Sequence, residues 1–126
     1  MKPITAEWIK KGEEDYRVAK ELLVMNPQPK YAICFHAQQS IEKYLKAVLQ
    51  ENQIMFEKTH DLDILAEKCE PFCSALINHR EDLLQLSVYA VDVRYPGFDL
   101  EDSEVVECIR IMEVIIPFIK NYFQEK

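Results

Sequence analysis

Between residues 36 and 50 the sequence places His36, Gln39, Lys43, Lys46 and Gln50 at intervals of three and four. Such spacing puts side chains on one side of an α-helix. The row is made of hydrogen-bond donors and bases, with Glu42 as the one carboxylate among them. Lysine ammonium groups neutralise phosphate, and a histidine hydrogen-bonds phosphate or a base. The plain alternative is a solvated helix face.

Three further positions carry chemistry. His60 stands in Lys58-Thr59-His60-Asp61-Leu62, where a loop becomes a helix and Thr59 or Asp61 can cap the exposed amides. A junction of this kind holds a side chain near an anion-friendly helix start. Arg94, in Arg94-Tyr95-Pro96-Gly97, either bonds the last carbonyls of its helix or faces an anion. Asp15 falls in the middle of an apolar face defined by Trp8, Ala19, Leu22 and Leu23. A buried carboxylate costs several kcal/mol, on the order of the Born penalty after relaxation, unless it is paired. Arg94, Lys43 or a tyrosine hydroxyl is the expected partner, which makes Asp15 a structural buried acid.

Familiar catalytic patterns are missing. There is no His-Glu-x-x-His, no Gly-x-Ser-x-Gly and no pair of Glu-x-x-His motifs. Cys34 projects about 160° away from His36 at 100° per residue, which arranges a thiolate pair poorly. Cys34, Cys69, Cys73 and Cys108 read as reduced, packed thiols; zinc on Cys69 and Cys73 has no second motif to complete it. No cofactor and no metal are expected.

The elements that carry these residues are helices. Breaks at Asn26-Pro27-Gln28-Pro29, Asn52, Asn78 and Pro96-Gly97 separate five periodic stretches: Thr5 to Met25, Lys30 to Glu51, His60 to Glu70 with a continuation through Ile77, Arg80 to Tyr95, and Glu101 to Phe123. Asparagine is taken as the left-handed residue that closes a helix in place of glycine. In the last stretch Val105, Cys108, Ile109, Met112, Ile115, Ile116, Ile119 and Phe123 form one stripe, with Pro117 on the solvent side. The Arg80 to Tyr95 stretch has apolar residues on two sides, including Val88, Val91 and Tyr95, so it is expected to be the central helix.

The chain of 126 residues has two glycines, Gly12 and Gly97, which argues against hairpins, a Walker loop and a Rossmann fingerprint. The expected fold is all-α, an antiparallel up-down bundle of about five helices forming one domain over residues 1–126. A formal net charge of −7 disfavours sequence-independent DNA binding. With no long apolar stretch and no signal-peptide pattern at its start, the chain is expected in the cytoplasm without a membrane partner. Wide apolar stripes on the second and fifth helices, with Phe35 and Phe98 outside them, point to a homodimer.

Several of these residues also carry a resemblance. Glu14-Asp15-Tyr16-Arg17-Val18-Ala19, the run from Ala32 to Ala47 (Ala-Ile-Cys-Phe-His-Ala-Gln-Gln-Ser-Ile-Glu-Lys-Tyr-Leu-Lys-Ala), Thr59-His60-Asp61-Leu62, and Tyr89 with Arg94-Tyr95-Pro96 occur in that order. In this the chain resembles the HEPN family, the higher eukaryote and prokaryote nucleotide-binding domain, in its subgroup with the Arg-Tyr-Pro ending. The resemblance implies a helical bundle, commonly dimeric and found beside a minimal nucleotidyltransferase in toxin-antitoxin-like pairs. Many HEPN proteins are metal-independent ribonucleases with an arginine followed four to six residues later by a histidine. No arginine of this chain is so followed, so that site does not carry over. The resulting expectation is a nucleotide-binding or nucleotidyltransferase-partner module using His36, Gln39, Lys43, Lys46, His60 and Arg94. The competing expectation is a divergent ribonuclease with His36 or His60 as general base and Arg94 stabilising the phosphorane.

Overall fold

A computed structural model describes residues 1–90, 96–97 and 99–125. These residues are all-helical, with five α-helices and no strand among them: α1 Pro3–Leu23, α2 Lys30–Glu51, α3 Leu62–Cys69, α4 Arg80–Ser87 and α5 Asp102–Gln124. Short 3-10 turns occupy Ser74–His79 and Val88–Ala90. The helical bundle expected from periodicity is the fold observed.

Its centre is a different helix from the one expected. Thirteen of the 22 residues of α2 are buried, and α2 packs against α1, α3, α4 and α5. Helix α4 stops at Ser87 and buries only Leu83 and Leu86, while Leu84 and Val88 are more than half exposed. Val91 and Tyr95 of the expected central helix lie outside the described residues, as does Phe98. The polar row on α2 was expected on an open face, whereas the structure buries Gln38, Ser40, Glu42 and Lys46 of this helix and leaves His36, Gln39, Lys43 and Gln50 partly buried.

Helices α1 and α2 are fastened to each other by polar contacts between residues 2–15 and residues 36–51. At one end Glu51 accepts from the Lys2 amide (3.0 Å) and the Thr5 hydroxyl (2.9 Å), capping α1 from α2 in place of a local cap. In the middle the Ser40 hydroxyl donates to the Gly12 carbonyl at 2.8 Å, and the Tyr44 hydroxyl donates to Glu13. At the far end Asp15 meets α2 again. Between these ties Gly12 lets the helices close: a Cβ there would lie 2.9 Å from the Tyr44 ring.

Helix ends show how the chain manages with few glycines. Asn52 closes α2 through its side chain, donating to the Val48 carbonyl and the Tyr122 hydroxyl, both at 2.8 Å. The left-handed residue is the next one, Gln53, at φ 56°, contrary to the role given to asparagine from sequence. Neither Thr59 nor Asp61 caps α3 with its side chain; the Leu62 amide donates to the Ser87 hydroxyl of α4 at 2.8 Å. Helix α5 begins with a capping box between Glu101 and Glu104, and Pro117 faces solvent as expected. Its buried stripe includes Ile111, with Ile109 only partly buried.

The core spans α2, α3, α4 and α5 and the 3-10 turn at Ser74–His79, with Ile33, Ile41, Leu45, Leu49, Leu62, Leu65, Leu76, Leu83, Leu86, Ile111 and Met112 closed to solvent. Each such side chain contributes about 1.5–3 kcal/mol of burial. All four cysteines are free and buried, and burial pushes the Cys69 thiol far above its ordinary range. No helix among the described residues is long and apolar enough to cross a membrane.

Two outcomes follow from this packing. In Gly12→Leu the added side chain meets the buried Tyr44 ring, so denaturant titration is expected to show a loss of about 1–3 kcal/mol, larger than any gain in helix propensity. At α4, Asp82 accepts from Arg110 (2.8 Å) and His79 (3.3 Å). Burial raises the Asp82 carboxyl, but Arg110 and His79 outweigh it and hold it below the ordinary aspartate value. A lowered folded value means stabilisation present above the unfolded value and lost as pH falls through the folded one. The stability gap between the wild type and Asp82→Asn is therefore expected at neutral pH and should close as pH drops below the ordinary aspartate range.

Candidate functional site

The polar row of α2 divides into two clusters. In the first, Asp15 of α1 is nearly closed to solvent and accepts from His36 Nδ1 at 2.8 Å and from Lys43 Nζ at 2.5 Å. His36 and Lys43 lie seven residues apart on α2, two turns, so both reach the same side chain on α1. Lys43 is thus the partner of the buried acid. A carboxylate only accepts, so Nδ1 carries the hydrogen and the lone pair of the neutral ring sits on Nε2. That edge has no hydrogen bond from the described residues, and the His36 side chain is 28% exposed.

In the second cluster Glu42 is the buried acid. Its Oε1 accepts from His60 Nδ1 (2.9 Å) and Gln38 Nε2 (3.2 Å), and its Oε2 accepts from Lys46 Nζ (2.9 Å). Gln38 also donates to the His60 carbonyl at 3.1 Å, pinning the loop ahead of α3 by backbone and side chain. Lys46 is buried, in contrast to its expected place on an exposed row, and its ammonium lies 5.6 Å from the Trp8 ring and 5.7 Å from the Phe56 ring. Aromatic faces and one carboxylate together replace the water it gives up. His60 is the open member, with 54% of its side chain exposed.

Gln39 belongs to the second cluster, donating to Gln38 Oε1 at 2.8 Å. The structure therefore brings Asp15, His36 and Lys43 together, and separately Glu42, Lys46 and His60. Arg94 lies outside the described residues. Sequence reasoning missed Glu42 and Gln38 as the organisers of the second cluster; Glu42 four residues before Lys46 was the available signal. Tyr16, also unremarked, donates to Glu113 at 3.0 Å and carries Lys20 and Lys120 each 6.0 Å from its ring centroid. Beside His60 a cleft of about 370 Å³ is lined by Phe56, Glu57, Thr59, Asp61, Ile64, Leu65 and Lys68. No group of three or more His, Cys, Asp or Glu side chains among the described residues is arranged for a metal ion.

This arrangement can be set beside known proteins. The HEPN domain matches residues 5–122, which takes in both clusters. The chain belongs to the HEPN domain family. A protein of Methanocaldococcus jannaschii, named "Putative toxin MJ1304", is 33% identical over 138 aligned positions, covering 94% of this chain and 88% of its own length. No solved structure matches this HEPN chain.

The two acids of this HEPN chain differ in what they hold, and substitution should separate them. Asp15→Ala leaves Lys43 and His36 with partial access to water, for an expected loss of about 1–4 kcal/mol. Glu42→Ala strands the buried Lys46 ammonium, for a larger loss of about 3–5 kcal/mol. Urea titrations of both variants check the order.

Proposed function

We propose that this chain is a one-domain HEPN module of a toxin-antitoxin-like pair, and that the α1–α2 face around His36 and Lys43 binds a nucleotide or a nucleotidyltransferase partner. The observation that carries this reading is the pairing at Asp15, where a half-buried histidine and a half-buried lysine are held side by side with their outer edges toward solvent. Membership in the HEPN family supports the nucleotide, and the toxin named in the archaeal relative supports a two-component role. Gln39 and His60 extend the same face, and Arg94 belongs to the reading through the Arg-Tyr-Pro ending. Lys46 contributes indirectly, by holding Glu42 and so His60. A cytoplasmic homodimer is the form proposed; exposed Leu84 and Val88 offer apolar surface for a second copy.

The second reading is the divergent ribonuclease. It is favoured by one feature, that His36 and His60 are each fixed by a carboxylate at Nδ1 with Nε2 in position to take a proton.

Calorimetric titration with ATP and GTP at increasing salt tests the binding reading. Affinity is expected to fall as salt screens the contact, and Lys43→Gln to weaken binding by about fivefold to tenfold. Lys10→Gln, which removes the same charge from the exposed opposite side of α1, should change it by less than about twofold. Equal losses in the two variants, or no binding of either nucleotide, would count against the reading. Metal-independent cleavage of single-stranded RNA that stops on His36→Ala or His60→Ala would replace it with the second.

A further inference from the structure

The last turns of α5 meet the segment that follows α3 around a cavity of about 240 Å³, whose lining includes Phe72, Cys73, Phe118, Asn121, Tyr122 and Glu125. None of these residues belongs to the clusters at Asp15 and Glu42. The walls are fixed. The Phe72 and Cys73 amides both donate to the Cys69 carbonyl at 2.9 Å, and the Cys73 thiol donates to the Phe118 carbonyl at 3.7 Å. The Phe72 and Tyr122 rings stand 6.4 Å apart at 61°, as two sides of a corner. Phe123 braces the Tyr122 ring at 5.0 Å, the Asn52 amide donates to its hydroxyl, and the His79 ring lies 5.3 Å from that of Phe118. Among the described residues of the lining, Glu125 carries the only formal charge. Burial and that carboxylate together push the Cys73 thiol above its ordinary value, so the field of Glu125 reaches the cavity wall.

Rings beside a carboxylate are how this chain holds ammonium groups elsewhere. Lys46 lies 5.6 Å from the Trp8 ring and 5.7 Å from the Phe56 ring with Glu42 as its ion partner, and Lys20 lies 6.0 Å from the Tyr16 ring with Glu113. At the end of α5 the same ingredients line an open cavity. We propose that this cavity binds a small quaternary ammonium compound, with its methyl groups against Phe72, Phe118 and Tyr122 and its charge facing Glu125. Ring quadrupoles attract a cation without supplying a hydrogen-bond acceptor. A primary ammonium brings three N–H donors and a strongly held hydration shell, which rings do not replace, whereas a methylated nitrogen has no such donors to satisfy. Size sets the rest of the class, since the cavity is smaller than the roughly 300–1,000 Å³ of pockets that take drug-sized ligands. The formal charge of −7 draws cations toward the surface.

The test is titration of the whole isotope-labelled chain with choline, followed by amide NMR. Shifts are expected at residues 72–75 and 118–125, with a Kd of about 1 mM or tighter. The neutral alcohol of the same shape, with carbon in place of the ammonium nitrogen, should bind at least about fivefold more weakly, as should ethanolamine. Phe72→Leu and Phe118→Leu, which keep apolar volume, and the exposed variant Glu125→Gln are each expected to weaken choline by about threefold to fivefold. Glu21→Gln, which removes an exposed carboxylate from α1, should change it by less than about twofold. Phosphatidylcholine vesicles should leave the spectrum unchanged; broadening of the same amides would make the occupant a lipid headgroup and overturn the free ligand. Equal affinity for choline and its neutral counterpart, tighter binding of ethanolamine, shifts confined to other residues, or no shifts at all would each overturn the proposal.

Discussion

Helix α2 can occupy the middle of the bundle only because its polar side chains leave water in pairs. Gln38, Ser40, Glu42 and Lys46 are all buried on it, and each has a partner on α1, on the loop before α3 or on α2 itself. Unpaired, a single buried charge would cost several kcal/mol, on the scale of a whole domain's net stability of about 5–15 kcal/mol. Paired, the set adds little net energy but fixes which neighbour lies where. The apolar side chains supply the driving force; the polar pairs supply the register.

That register is visible in how α1 lies on α2. A helix held by apolar contact alone can slide, since one leucine replaces another at modest cost. Glu51 with Thr5, Ser40 with the Gly12 carbonyl, and Asp15 with Lys43 and His36 occur at matching intervals along both helices, so a slip of one turn would break all three at once. Gly12 adds a steric condition, because only its missing Cβ admits the Tyr44 ring. The candidate site is therefore one end of the same seam that aligns α1 with α2.

The fold class and most helix limits were legible because apolar spacing repeats cleanly over 20 residues, as in α1 and α5. The centre of the bundle was not. Periodicity sorts side chains into faces, but Lys46 and Glu42 are buried by a pairing with His60, Trp8 and Phe56 that lies many residues away. Asp15 was conspicuous for the opposite reason, an acid alone on an apolar face, and one of the partners considered for it, Lys43, is the one found. The cap of α3 was assigned to Thr59 or Asp61 and none was assigned to α1, because the groups that complete these two helices, Ser87 and Glu51, come from other helices. Local rules see only local partners.

The three carboxylate-held histidines show why the dyad by itself does not define a role. In each, the acid fixes the tautomer and aims the ring, so the chemistry left to the outer nitrogen depends on the field around it. Next to Lys43 that field favours an approaching anion; at His60 it is mixed, with Glu57 and Asp61 beside Lys68 on the cleft and Lys46 on the other oxygen of Glu42. With an overall formal charge of −7, a distant anion is repelled, and only inside about one Debye length, roughly 8 Å, do the local lysines prevail. Recognition on this face is thus short-ranged, set by the few atoms that Asp15 holds in place.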